Sequence, residues 1–309
     1  MHISITGKPG SGKSTISNIL KTDTGFQIFS TGALQREFAL QHNLSTLEMN
    51  QLMTQDKNYD HLIDDTTTKI SIEKKDVTII FDSRMAWKFA DNSFKVFVTI
   101  DPLVAATRVM TNPRGDEEVY DNLEDAKQKM IERSKVENSR FMDFYGVDTF
   151  DYSNYDLVVD STYATANELA SIIYIKYQEF IEAENKQHDI LLSPKLLYPL
   201  AKVSDINIKT LLDYKEKRKH IDEPISIVAL DGYHYIIDGH YRTLASIMND
   251  EKLINVTLAD LNINPLYNST ENLIKQIQAV GIAAVHDFEA IGEFQYKSYP
   301  VYYFGGFKY

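Results

Sequence analysis

Residues 7–14 read Gly7-Lys8-Pro9-Gly10-Ser11-Gly12-Lys13-Ser14. A short β-prone run, His2 to Thr6, precedes them, and a helical pattern from Lys13 to Leu20 follows. Strand, glycine-rich turn and helix in that order are the context the phosphate-binding P-loop (Walker A) pattern requires. Three glycines let the backbone wrap a polyphosphate with its N–H groups, and the helix amino terminus adds positive potential. Lys13 is placed to reach the β and γ phosphates, and Ser14 to ligate a metal. The expected nucleotide-binding residues are Gly7, Gly10, Ser11, Gly12, Lys13, Ser14 and Thr15, with ATP and Mg²⁺ as cofactors and Ser14 as the metal ligand. Thr15 either hydrogen-bonds a phosphate or is an ordinary first-turn residue.

Working outward, buried-strand candidates at 77–81, 95–100 and 155–159 alternate with helical periodicity at 32–42, 45–55, 102–111, 120–144 and 165–183. Alternation of this kind implies parallel crossovers, the α/β class with a doubly wound parallel sheet. The expected first domain is 1–183. A polar connector between Glu182 and Pro194 leads to a second, smaller α+β domain, 194–309. There the pattern gives a helix at 208–220, strands at 225–230 and 233–237 around an Asp231-Gly232 hairpin turn, and a helix at 242–248.

Composition narrows the chemistry. The chain has 309 residues, 43% of them hydrophobic, which is enough for a substantial core. It has no cysteine, excluding disulfides, thiolate zinc sites and cysteine nucleophiles. A net charge of −12 argues against broad nonspecific binding to nucleic acid but does not forbid a small phosphate site. No apolar run reaches bilayer length and no basic, then apolar, leader opens the chain. The expectation is a soluble, cytoplasmic protein with no membrane partner, or one in the host cytoplasm if it is viral. The sequence leaves the oligomeric state open.

A second cluster should hold whatever accepts the phosphoryl group. Ser30-Thr31-Gly32-Ala33-Leu34-Gln35-Arg36 follows the apolar run 26–29 and opens a helix. It either directs hydroxyls and a guanidinium at a second ligand beside the P-loop or is a capped helix start with a surface arginine. Further along stand Asp82-Ser83-Arg84 at a strand end, Arg108 after Asp101-Pro102, Glu132-Arg133, Glu137-Asn138-Ser139-Arg140-Phe141, Tyr145-Gly146-Val147-Asp148, and Tyr155 to Ser161. With the P-loop, this ordered set resembles the cytidylate kinase family, particularly its archaeal-type branch, over residues 1–183. The resemblance implies that Ser30, Thr31, Arg36 and Arg84 bind the acceptor, and that Lys13, Asp82, Arg84, Arg133 and Arg140 act in transfer, the last two from a mobile lid. Asp82 either polarises a metal-bound water or caps the next helix. Arg133 and Arg140 either embrace the phosphoryl group or pair with Glu132, Glu137 or Glu117 on a solvated helix. Ser83 departs from the glycine expected there, and Ser134-Lys135-Val136 from the usual lid spacing.

In the second domain, Asp238-Gly239-His240-Tyr241-Arg242-Thr243-Leu244-Ala245 follows a predicted strand directly. It resembles the Gly-x-x-Arg-x-x-Ala turn of the ParB/sulfiredoxin-like fold. That resemblance implies a second phosphate site at Asp238, Gly239, His240 and Arg242, though His240 could simply fill the turn and Asp238 simply cap. The final sixteen residues contain eight aromatics, which either stack on bases or form terminal strands packed on the protein.

Together these features lead to an ATP-dependent P-loop kinase, a phosphotransferase acting on a pyrimidine nucleotide such as CMP or dCMP. One alternative acceptor is the hydroxyl of a modified pyrimidine in DNA, of the 5-hydroxymethyluracil type, in viral DNA modification, with the second domain on DNA. Another reading, of a different class, is a nucleotide-switched DNA-binding or partition protein.

Overall fold

The computed structural model describes residues 1–44, 58–112, 120–184, 187–202, 207–217, 223–259 and 268–304. The chain divides into two units, Met1–His188 and Asp189–Tyr309. The expected helix at 45–55 lies outside the described residues.

The first unit runs β1 (His2–Gly7), α1 (Lys13–Thr24), β2 (Gln27–Ser30), α2 (Thr31–Gln41), α3 (Asn58–Glu73), β3 (Ile79–Asp82), α4 (Ala86–Phe89), β4 (Ser93–Thr99), α5 (Pro102–Thr111), α6 (Leu123–Tyr145), β5 (Leu157–Asp160) and α7 (Ala166–Glu182). Its strands pair in the order β2-β3-β1-β4-β5, every pairing parallel. Ile3, Ile5, Ile80, Phe81, Val96, Val98, Val158 and Val159 are all buried, giving the near-continuous apolar strands of a parallel sheet covered on both faces. Helix starts follow local chemistry. Asp101 accepts from the Leu103 and Val104 amides with Pro102 at the first turn of α5, and Thr165 with Glu168 forms a capping box on α7.

Register fixes what meets at the carboxyl edge. Ser30 lies opposite Asp82, Asp82 opposite Ile5, and Gly7 opposite Val98. The chain leaves β1 toward β2 on one side and later reaches β4 on the other, and such an edge is where open α/β sheets hold ligands.

The second unit contains β6 (Asp189–Leu192), β7 (Leu197–Pro199), α8 (Ile208–Lys217), β8 (Ile225–Leu230), β9 (Tyr233–Asp238), α9 (His240–Met248), β10 (Ile254–Leu258) and α10 (Thr270–Gly292), with strand order β6-β10-β8-β9-β7. The β8–β9 hairpin turns through Asp231 and Gly232, both at positive φ, as a tight two-residue connection needs. The aromatic tail does not form strands among the described residues. It ends in a 3₁₀ turn, Val301–Phe304, and packs by stacking and hydroxyl bonds. Tyr296 stacks on Tyr198 at 4.4 Å, and the Tyr296 and Tyr303 hydroxyls donate to the Leu197 and Pro199 carbonyls of edge strand β7 at 2.6 and 2.5 Å. These bonds cover a polar sheet edge that would otherwise be open to another chain.

Gly7 is where the first unit tolerates least change. It sits at φ 148°, and a Cβ there would lie 2.1 Å from the Val98 carbonyl oxygen of β4. Gly7→Ala therefore separates β1 from β4 at their ends. Urea unfolding should show a loss of at least about 2 kcal/mol, the scale of combined overpacking and backbone strain; an unchanged midpoint would contradict the close approach.

Candidate active site

The loop after β1 is pinned to the sheet, since the Lys8 amide donates to the Val98 carbonyl at 3.1 Å and the Ser11 amide to the Lys8 carbonyl at 3.3 Å. Gly12 caps α1 in a left-handed conformation at φ 84°, so the twelve-residue helix begins directly behind the loop with its amide end toward it. A helix start of this kind is an anion site by virtue of its unpaired N–H groups and dipole. Lys13 folds over the loop, its Nζ donating to the Gly7 and Lys8 carbonyls at 2.8 and 3.0 Å. Ser14 Oγ donates to Asp82 Oδ2 at 2.8 Å. Thr15 is exposed in the first turn.

The residues fit a nucleotide and a divalent cation. Ser11 is 1% exposed, and its hydroxyl has no hydrogen-bond partner among the described residues, an orphaned donor inside the loop. Ser14 and Asp82 supply two hard oxygens one hydrogen bond apart, the number a phosphate-bound Mg²⁺ takes from protein. Asp82 does not cap the following helix: the N-cap of α4 is Met85, and no side chain caps it.

On the acceptor side, Arg84 reaches back to the loop, Nη1 donating to the Gly7 carbonyl at 2.7 Å. Its other terminal nitrogen lies 3.3 Å from Glu137 Oε2, while Arg133 Nε donates to Glu137 Oε1 at 3.1 Å. Thr6, Gly7, Arg84, Phe97, Glu137 and Phe141 line a cleft at this point. The Arg140 guanidinium stacks over Phe141, 5.0 Å from its ring centre. Burial acts to raise the Glu137 pKa, but Arg84, Arg133 and Lys13 together outweigh it and hold the carboxyl below its ordinary range. Burial also pushes the Lys8 ammonium down, against Asp160 and Asp101, which favour its charge.

The structure thus brings Lys13, Ser14, Asp82, Arg84 and, through Glu137, Arg133 to one edge, with Ser30 in register beside Asp82 and Thr31 opening α2. Arg36 lies on α2, and its side chain is outside the described residues. Glu137 and Lys8 are the site residues that motif reading misses. Glu137 enters the sequence reading as the start of the Glu137-Asn138-Ser139-Arg140-Phe141 stretch and as a pairing partner for Arg133 or Arg140, but its bond to Arg84 depends on packing between distant elements.

The Cytidylate kinase-like family matches residues 2–163. The chain belongs to that family. Cytidylate kinases from Sulfolobus acidocaldarius and Sulfurisphaera tokodaii are each 31% identical to it, over 174 and 189 residues, covering 56% and 60% of this chain and 92% and 99% of theirs. An S-adenosylmethionine-dependent nucleotide dehydratase of Lacinutrix mariniflava is 29% identical over 178 residues, 57% of this chain; the match spans only 36% of that longer protein. Cytidylate kinase-like membership implies a nucleotide kinase working with a nucleotide-phosphate donor and a metal ion.

The cytidylate kinase-like match lies within the first unit. In the second unit's turn the Arg242 guanidinium is engaged by groups of its own unit. Its side chain is 7% exposed and is taken up by Asp238 Oδ2 at 2.5 Å, Glu223 Oε2 at 3.0 Å and the Glu223 and Pro224 carbonyls. His240 Nε2 accepts from the Leu200 amide at 3.0 Å. Gly239, at φ 104°, lies against the Arg242 guanidinium, 3.3 Å from where a Cβ would stand. Asp238, Gly239, His240 and Arg242 therefore lock the β9–α9 corner to its neighbours. Among the described residues no helix is long and apolar enough to cross a membrane.

Burial lowers the His240 pKa to about 4, with Asp238 opposing, and only the neutral ring can accept the Leu200 amide. An unfolded chain protonates this ring near its ordinary value of 6.5, so between about 6.5 and 4 the unfolded state binds the extra proton. Stability should fall by up to about 3 kcal/mol as pH drops through that window. Urea midpoints at pH 7 and 4.5 check this: His240→Gln should lose much of the pH dependence, and an equally steep dependence in the variant would contradict it.

Proposed function

We propose that this member of the cytidylate kinase-like family transfers the γ-phosphoryl of ATP, with Mg²⁺, to a pyrimidine nucleotide, CMP or dCMP. The carrying observation is the 2.7 Å bond from Arg84 to the Gly7 carbonyl. It sets the acceptor-side cation against the donor loop, so an anion held by Arg84 faces the end of a triphosphate lying in residues 7–14.

In this reading a phosphate oxygen of the acceptor forms the new bond to the γ phosphorus while the bond to the β-bridging oxygen breaks, leaving ADP and a nucleoside diphosphate. Such transfer needs alignment and charge neutralisation rather than a covalent partner. Lys13 exchanges its two carbonyl partners for phosphate oxygens, the loop amides and the Ser11 hydroxyl bind the chain of phosphates, and Arg84 aligns the acceptor. Ser14 and Asp82 would hold Mg²⁺, which supplies charge neutralisation at the phosphates. Phe97 and Phe141 wall the cleft beside Arg84 and limit water there. The net charge of −12 supports an acceptor of nucleotide size over a polynucleotide.

The test is incubation with γ-labelled ATP and Mg²⁺ against CMP, dCMP, UMP, free serine, plain DNA and 5-hydroxymethyluracil DNA. Label should appear in the CMP or dCMP product, and Lys13→Ala should lower transfer by about 10²–10³-fold, the scale of losing one preorganised charge contact, with the fold retained. Label confined to DNA, or phosphate release with no labelled acceptor, would overturn the proposal.

A further inference from the structure

Glu137 stands inside the cationic cluster, and the transfer reaction leaves it without a task. A site that must bring two phosphate chains together gathers Lys13, Arg84 and Arg133, yet a carboxylate lies among them. Glu137 engages both guanidiniums at once, Oε2 at 3.3 Å from Arg84 Nη2 and Oε1 at 3.1 Å from Arg133 Nε. Its side chain is 23% exposed, whereas that of Arg133 is 52% exposed, so the acid is the more enclosed partner. It lies four residues after Arg133 and four before Phe141, on the face of α6 that lines the cleft with Thr6 and Gly7.

Geometry makes this carboxylate a competitor for the incoming acceptor. Arg84 spends Nη1 on the Gly7 carbonyl, and Nη2 is the terminal nitrogen directed to Glu137. A phosphate gripped by Arg84 on this side competes with Glu137 for that nitrogen and for its charge. A phosphate monoester carries more charge and more acceptor oxygens than a carboxylate, so it can displace one from guanidinium groups. A neutral nucleoside lacks the charge to do so.

We propose that Glu137 is a built-in surrogate for the acceptor phosphate, holding Arg84 and Arg133 neutralised until a phosphorylated acceptor displaces it. The proposal rests on the kinase reading above and goes further, to control of a side reaction. The acceptor must carry its own phosphate. With ATP bound alone, Arg84 and Arg133 remain on Glu137, and attack by water is unassisted. In that attack the water oxygen bonds to the γ phosphorus, the bond to ADP breaks, one water proton passes to solvent and the other stays on the released phosphate. Displacement of Glu137 frees the arginines only when the proper nucleophile is present.

Calorimetric titration of inorganic phosphate into protein saturated with a non-hydrolysable ATP analogue and Mg²⁺ tests this without turnover. Glu137→Gln should bind phosphate about tenfold more tightly than the natural protein, a change of about 1.4 kcal/mol. The same variant should release ADP from ATP without acceptor about tenfold faster, as expected when a competing charge beside two arginines is removed. Glu137→Ser, a second neutral variant, should shift both the same way, while Glu137→Asp, which keeps the charge, should stay nearer the natural protein. Unchanged or weaker phosphate binding in both neutral variants, with analogue binding intact, would overturn the proposal and leave the kinase reading standing. Failure of the natural protein to bind the analogue at all would overturn both.

Discussion

The close approach of Gly7 to Val98 is the contact from which the site follows. Because no side chain fits between the end of β1 and β4, the chain leaves the sheet flat against its neighbour and turns at once into the loop. That contact sets where α1 begins, hence where Lys13 and Ser14 point, and it exposes the Gly7 carbonyl to both Lys13 and Arg84. One backbone oxygen thus links the donor loop, the end of β3 and, through Glu137, helix α6.

Two arginines show how surroundings decide what a guanidinium does. Arg84 is part-exposed, has one carbonyl and one carboxylate partner, and faces a cleft. Arg242 is enclosed and meets two carboxylates and two carbonyls, so it holds a corner together. Its two carboxylate partners are largely exposed, so it is the guanidinium itself that is enclosed.

The P-loop was readable because its requirements are local. Glycines at 7, 10 and 12 are demanded by backbone angle or close approach, and the flanking strand and helix announce themselves by pattern. The hairpin at Asp231-Gly232 was readable for the same reason. Legibility failed where meaning depends on distant packing. The Arg133–Glu137 pair follows from helical spacing, but the approach of Arg84, fifty residues earlier, does not. The Gly239-His240-Tyr241-Arg242 turn has the spacing of an anion grip, yet Glu223 and the Leu200 amide, remote in sequence, occupy its polar groups. The tail's aromatic density signalled burial but not its form, because hydroxyl bonds to β7 replaced the expected ladder. Helix α3 and strand β10 escaped notice, α3 because hydroxyl and acidic residues break up its apolar period, β10 because only Ile254 and Val256 face the core.

A crystal structure with a non-hydrolysable ATP analogue, Mg²⁺ and CMP addresses the central claim most directly. It should show the triphosphate wrapped by residues 7–14, the metal on Ser14, and the CMP phosphate on Arg84 facing the γ phosphate. A triphosphate bound elsewhere, or a CMP phosphate remote from Arg84, would contradict the account.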